Sequence, residues 1–131
     1  MIEKIHVPGL SEAISKRGVP LTVATKAKGF VFVSGLPPIN PADGSMQQGD
    51  ITVQLRQAMS NLKLALEHAD SSLENCLMVT LYVANAGFFG AINKTYAQYF
   101  SALPPARTCI AVGSWPFEAD LEVEAIAVVN N

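Results

Sequence analysis

The chain has 131 residues and a mass of 14.0 kDa, the size of one ordinary domain, so several domains are excluded and residues 1–131 are expected to fold as one unit. Hydrophobic residues make up 50% of the chain and charged residues 15%, with a mean hydropathy of +0.27, which excludes an intrinsically disordered protein. Nine basic and eleven acidic residues leave a net charge of -2, which argues against nucleic acid as the partner.

The N-terminal region predicts one short strand and no export signal. Residues 3–7 alternate weakly between polar and apolar side chains, whereas residues 11–18 are small and polar, as in a loop. The apolar block of a secretory signal does not occur here, and the longest apolar runs in the chain are too short to span a bilayer. Cys76 and Cys109 are therefore expected to be reduced thiols in a cytoplasmic protein that has no membrane partner.

The next segment predicts an antiparallel pair of strands. Pro20–Ala24 and Phe30–Ser34 are rich in β-branched and aromatic residues, and residues 25–29 separate them. Gly35 is expected to end the second strand. Three prolines and an Asp-Gly pair then predict a loop over Leu36–Gly44, because proline cannot donate to a strand ladder.

Two helices and a central strand are predicted in the middle of the chain. From Asp50, the expected N-cap, one apolar stripe recurs at helical spacing for about five turns. Its members are Ile51, Leu55, Ala58, Leu62, Ala65 and Ala69. Residues 77–84 are apolar at both odd and even positions, which predicts a central strand covered on both faces. The second helix presents Phe89, Ile92 and Tyr96 on one side.

The last two predicted strands are Ala106–Gly113 and Leu121–Val129, with a loop over residues 114–120 between them. This order of elements predicts an α+β domain in which a mixed sheet carries two helices on one face. The other face would present a row of carboxylates mixed with apolar side chains: Glu122, Glu124, Ile126 and Val128. Such a row fits neither solvent nor a closed core, so we expect it to face another subunit.

Arg107 is the most informative residue for function. It enters an apolar strand, and a buried guanidinium requires an anionic partner. That partner is either Glu122 or Glu124 within the fold, or the carboxylate of a substrate held by two parallel hydrogen bonds. A hairpin turning near Phe117 would set residue 122 opposite residue 112, roughly 16 Å from Arg107 at ~3.3 Å per residue. Arg107 and the Glu122 of a neighbouring subunit could instead share one cleft.

Other kinds of site find little support in the sequence. His6 and His68 have no cysteine or carboxylate at the spacing of metal ligands, so no metal site is expected. There is no glycine-rich phosphate loop, and Val33-Ser34-Gly35 lacks the first glycine of a nucleophile elbow.

From about Pro20 to Val128 the chain resembles the Rid proteins, also called RidA/YjgF, the reactive-intermediate deaminases. The resemblance depends on four groups of residues: Val33-Ser34-Gly35 with Ile39-Asn40-Pro41 and Gly44; Phe89, Asn93 and Tyr96; Pro105-Ala106-Arg107-Thr108-Cys109; and Leu121-Glu122-Val123-Glu124-Ala125-Ile126-Ala127-Val128. The combination of Arg107 with Glu122 fifteen residues later, each in its motif, is much more specific for this family than any single fragment.

The resemblance implies a chorismate-mutase-like fold of βββαβαββ order, assembled as a homotrimeric barrel with clefts between subunits. It further implies hydrolysis of 2-imino acids, such as 2-iminopropanoate and 2-iminobutanoate, and of their enamine tautomers to 2-keto acids and ammonia, without a cofactor. By motif position Arg107 would hold the substrate carboxylate and Glu122 would activate water. The remaining residues of the cleft would be Ser34, Gly35, Phe89, Asn93 and Cys109.

The chain departs from the family pattern at several positions. Leu21 follows Pro20 where many deaminases carry tyrosine, and Trp115 stands where an aliphatic residue is usual, which suggests an altered pocket for the substrate side chain. The alternatives to an imine deaminase are a deaminase of another catabolic enamine, a ligand-binding or chaperone-like protein without turnover, and a protein that acts on RNA.

Overall fold

The computed structural model describes residues 1–100, 102–116 and 118–131. In these residues six β-strands and three α-helices follow one another: β1 (Glu3–Ile5), α1 (Leu10–Lys16), β2 (Ala24–Ala27), β3 (Phe30–Leu36), α2 (Ile51–His68), β4 (Cys76–Val83), α3 (Phe89–Tyr96), β5 (Ala106–Ala111) and β6 (Leu121–Val128). The strands form one six-stranded sheet in the order β1-β2-β3-β6-β4-β5. Only the pair of β4 and β5 is parallel, so the mixed sheet of the predicted α+β fold is confirmed.

One face of the sheet is covered by helices. The odd positions of β6, from Leu121 to Ala127, are all buried, and α2 packs over β6 and β3 with its whole predicted stripe in the core. Asp50 caps α2 as expected, since its side chain accepts a hydrogen bond of 3.0 Å from the backbone N–H of Val53. The helical period and the strand period therefore predicted the main layers correctly.

The loop expected over residues 11–18 is wrong, because this segment forms the short helix α1. Leu10, Ala13 and Ile14 lie on its buried side and join the core, and Glu12 accepts the backbone N–H of Gly9 at 2.6 Å. The helix is only 7 residues long, so its apolar stripe has three members among small polar residues and is hard to detect. The domain consequently has three α-helices, not two, among the described residues.

The first strand pair is shifted from its predicted position. β2 covers Ala24–Ala27, and the turn to β3 consists of Lys28 and Gly29, with φ angles of 52° and 83°. Positive φ at both central residues is the geometry of the tight hairpin turn that matches the twist of the strands. β3 also continues through Gly35 to Leu36 instead of ending at Gly35.

The end of β3 contains a β-bulge. Val33 pairs with Ala125 and Leu36 with Val123, so Ser34 and Gly35 together lie opposite the single residue Glu124. A bulge bends the strand and redirects its side chains. It thus sets Ser34 and Gly35 apart from the regular alternation of β3.

The predicted hairpin of β5 and β6 is wrong, because β4 lies between them. Tyr82 of β4 pairs with Ile110 on one side and with Glu122 on the other, while Arg107 pairs with Val79. The expected alignment of residues 122 and 112 therefore does not occur, and Phe117, where the turn was expected, lies outside the described residues. Since Val79 and Tyr82 are an odd number of positions apart on β4, Arg107 and Glu122 are on opposite faces of the sheet.

The second face of the sheet is open in the single chain. Phe30 and Phe32 of β3 are 44% and 48% exposed, and their partners Val128 and Ile126 lie beside them. Glu122 and Glu124 continue the same row, as the sequence predicted. None of the described helices has the length and apolar character needed to cross a membrane.

Candidate functional site

Arg107 lies at the edge of the sheet, on the face that carries the helices. Its Cζ is 5.0 Å from the centroid of the Tyr96 ring and 5.6 Å from that of Phe89, and both rings belong to α3. Among the described residues the guanidinium forms no ion pair, and neither Glu122 nor Glu124 neutralises it. Aromatic faces stabilise the cation without using its N–H groups. These N–H groups are thus available to bind an anion.

One face of α3 supplies the surroundings of Arg107. Phe89, Asn93 and Tyr96 are four and three positions apart, so they lie on one side of the helix. Asn93 Oδ1 and the Tyr96 hydroxyl are buried and have no hydrogen-bond partner in the described part of the chain. Buried polar atoms are nearly always paired in folded proteins. Two unpaired ones on the helix face whose rings contact Arg107 indicate a polar site.

Tyr96 belongs to this candidate site. The sequence indicated it as a position on one side of the second helix and as part of the family motif, but not as a residue of the cleft. Burial raises the pKa of its phenol to about 12, and the charge of Arg107 acts in the opposite direction. The hydroxyl consequently keeps its proton and is a hydrogen-bond donor. Its spacing of three residues from Asn93 was the signal that could have identified it.

Cys109 lies two positions after Arg107 and therefore on the same face of β5. Burial raises the pKa of its thiol, with the charge of Arg107 opposing this effect. A thiol with a raised pKa is a poor nucleophile at neutral pH. The arrangement agrees with a wall residue.

Glu122 forms a second group with the bulge of β3. A Cβ atom added to Gly35 would lie only 2.6 Å from Oε1 of Glu122, so the missing side chain of Gly35 makes room for this carboxylate. The neighbouring Ser34 donates its hydroxyl to the carbonyl of Thr22 at 2.7 Å. Burial raises the pKa of Glu122, and the like charge of Glu124 adds to the increase. A raised pKa adapts a carboxylate to accept and return protons near neutral pH.

The residues predicted for one site therefore form two groups within the chain. Phe89, Asn93, Arg107 and Cys109 are together at the edge strand β5 and helix α3. Ser34, Gly35 and Glu122 are together at the bulge of β3, and Glu122 emerges on the open face. One chain does not bring the guanidinium and the carboxylate to the same side of the sheet.

Comparison with known proteins agrees with this architecture. Residues 13–129 match the model of the family described as Endoribonuclease L-PSP. The RutC family protein PH0854 from Pyrococcus horikoshii is 40% identical over 108 residues, which cover 82% of this chain and 86% of that protein. The crystal structure of YyfA, a Rid family protein of unknown function from Yersinia pestis, has a TM-score of 0.89 and 30% identity over 98% of this chain and 100% of that one. E. coli TdcF, crystallised with bound serine, has a TM-score of 0.79 and 31% identity over 85% and 89% of the two chains.

Proposed function

We propose that this chain, which belongs to the RidA/YjgF family described as Endoribonuclease L-PSP, is a deaminase that hydrolyses 2-imino acids and their enamine tautomers. The observation that carries the proposal is the environment of Arg107. Its guanidinium is stabilised by two aromatic rings and has no carboxylate partner among the described residues. A planar cation with free N–H groups matches the carboxylate of an imino acid.

In the proposed reaction Arg107 fixes the substrate carboxylate and Glu122 handles protons. Glu122 takes a proton from water while the water oxygen bonds to the imine carbon, which is already electrophilic. The proton then passes to the nitrogen, which gives a carbinolamine with one hydroxyl and one amino group. Glu122 next takes the hydroxyl proton and returns it to the amino nitrogen, so that the C–N bond breaks, ammonia leaves and the carbon forms a double bond to oxygen. Orientation and proton transfer account for the whole catalytic task. Ser34, Asn93 and the backbone near Cys109 would line the cleft.

The proposed site is shared between two copies of the chain. Arg107 and Glu122 lie on opposite faces of the sheet, so a neighbouring protomer must supply one of them. The exposed Phe30 and Phe32 on the open face give each protomer an apolar surface to bury against its neighbour. We therefore propose the closed homotrimer that the family resemblance implies, with one site at each interface.

The substrate class is supported by a relative. TdcF of E. coli was crystallised with serine, a 2-amino acid that carries the same carboxylate and neighbouring nitrogen as a 2-imino acid. A small acid bound through Arg107 is the corresponding partner proposed for this chain. No metal or cofactor takes part in the proposed reaction.

RNA cleavage, which the name of the family model suggests, receives less support from this chain. Its only basic clusters are Lys16-Arg17 and Lys26 with Lys28. Lys26 binds the carboxylate of Asp70 at 3.0 Å, and Arg17 donates to the carbonyl of Gly44 at 2.9 Å. Arg17 and Lys26 are therefore engaged within the fold, which favours phosphate binding less than free basic side chains would.

The proposed location is the cytoplasm. Cys76 and Cys109 are both free thiols, which suits a reducing compartment. A relative from Saccharomyces cerevisiae is named a mitochondrial protein.

The deaminase proposal is tested with imines generated in situ. An amino-acid oxidase with catalase converts a panel of amino acids to 2-imino acids, and semicarbazide traps the imine that remains. We expect the protein to shorten the lifetime of the imine and to accelerate release of ammonia, at unchanged oxidase activity. Binding of 2-keto acids without any acceleration would instead indicate a ligand-binding protein.

Substituting Gly35→Ala should inactivate the protein with little loss of stability. The new methyl group would lie 2.6 Å from Oε1 of Glu122 and must displace that carboxylate. Since a displacement of 1 Å at a catalytic group can cost about 100-fold in rate, we expect kcat/KM for imine hydrolysis to fall by about that factor.

The matched control for Gly35→Ala is Gly90→Ala. A Cβ atom on Gly90 meets nothing within 4 Å, so this variant should retain wild-type turnover. Equal activity of the two variants would show that the position of Glu122 does not matter for the reaction.

A further inference from the structure

A cavity of about 290 Å³ adjoins Arg107 on the helix side of the edge strand. It is lined by Tyr96, Ala97, Phe100, Pro104, Pro105 and Arg107. The rings of Tyr96 and Phe100 pack together with their centroids 4.9 Å apart and their planes tilted by 42°. The two prolines have fixed φ angles and give the lining a rigid segment.

The lining of this cavity combines one charged residue with apolar walls. Arg107 is the one charged residue among its lining residues, and the other walls are aromatic, methyl or proline surface. A ligand that fills it would place a carboxylate on the guanidinium and an apolar group between the rings and the prolines. Water binds weakly beside apolar walls, so a ligand whose apolar group displaces this water gains affinity.

Tyr96, which is also part of the candidate site around Arg107, supports the assignment of the cavity as a ligand site. Its side chain is only 5% exposed, yet its hydroxyl has no hydrogen-bond partner in the described part of the chain. The same ring lies 5.0 Å from Cζ of Arg107. Buried hydroxyl groups in folded proteins nearly always have a hydrogen-bond partner, so we expect a bound ligand to supply the partner of this one.

We propose that this cavity holds the side chain of the substrate, so that the protein prefers 2-imino acids with bulky aliphatic or aromatic side chains over the imine of alanine. The proposal rests on the proposed function and adds the substrate class. Each additional buried methylene is worth about fourfold in affinity, whereas a single methyl group would leave most of the cavity unfilled. We therefore expect kcat/KM for the imine of leucine to exceed that of the imine of alanine by about tenfold or more.

The test is a substitution that fills the cavity with a larger side chain from one of its lining residues. Ala97 is exposed at the end of α3 and lines the cavity, so Ala97→Phe would place a ring in the space. The control is Ala91→Phe, which adds the same ring to an exposed position of α3 outside the lining. Hydrolysis of the imines of alanine, leucine and phenylalanine is measured for the wild type and both variants. Calorimetry gives the Kd of the corresponding 2-keto acids.

The expected result is selective. Ala97→Phe should lower kcat/KM for the leucine and phenylalanine imines by about tenfold while the alanine imine is hydrolysed as before, and Ala91→Phe should leave all three unchanged. Equal rates for all imines in the wild type, or an equal loss for all of them in Ala97→Phe, would overturn the assignment of the cavity.

The binding data separate this proposal from the proposed function. If no imine is hydrolysed but the larger keto acids bind more tightly and Ala97→Phe removes that preference, the cavity assignment stands and the deaminase proposal fails. If alanine imine is hydrolysed but side-chain size affects neither rate nor Kd, the deaminase proposal stands and the cavity assignment fails. The absence of both turnover and keto-acid binding overturns both.

Discussion

Replacing Arg107 with alanine should abolish nearly all imine hydrolysis and leave the fold intact. Loss of one partner from a desolvated, hydrogen-bonded charge pair lowers affinity or turnover by about two to three orders of magnitude. The guanidinium forms no ion pair among the described residues, so its removal breaks no internal salt bridge. The initial rate of imine loss is measured over a range of substrate concentrations, together with the thermal unfolding midpoint.

Two further substitutions sharpen the interpretation of Arg107→Ala. Arg107→Lys keeps the positive charge but loses the planar pair of donors, so its activity should lie between those of the wild type and Arg107→Ala. Arg56→Ala removes an exposed arginine that contacts Gln98 at 3.0 Å and should have wild-type activity. Undiminished turnover by a folded Arg107→Ala protein would refute the proposed role of the guanidinium.

Two inactive variants should restore activity when they assemble together. Glu122→Gln keeps the shape of the side chain but cannot accept a proton from water, so it should be as inactive as Arg107→Ala. Since Arg107 and Glu122 are on opposite faces of the sheet, a shared site takes each from a different protomer. A mixed trimer of the two variants then contains one site with both wild-type residues.

The size of the recovery follows from the threefold symmetry of the proposed homotrimer. Three quarters of randomly mixed trimers contain both variants, and one of their three sites is intact, so an equal mixture should reach about a quarter of the wild-type activity. The variants are unfolded, mixed and refolded together, and the control is the same mixture combined without unfolding. A co-refolded trimer that stays as inactive as its parents would mean that both residues act within one chain, and turnover by Glu122→Gln alone would remove that residue from the mechanism.

The elements whose signals are local could be predicted from the sequence. The stripe of α2 and its cap at Asp50 lie within a few turns of one another, and the alternation along β6 assigns each residue to a face. The open face with Glu122 and Glu124 followed from that alternation. Short elements were missed or shifted. The helix α1 has only 7 residues, and the turn at Lys28-Gly29 requires a positive φ at Lys28, which a lysine in the sequence does not indicate.

By itself, then, the sequence determined the fold class, the covered and open faces of β6, and the presence of an unusual arginine in an apolar strand, whereas its expectation that β4 is covered on both faces is wrong for the single chain. The tertiary structure alone decided that β4 separates β5 from β6, that Arg107 rests against Tyr96, and that Gly35 makes room for Glu122. The physical reason is the range of the interactions. Periodicity and capping act between residues close in sequence, whereas strand order depends on packing between distant segments, and loop closure costs too little to dictate which strands become neighbours.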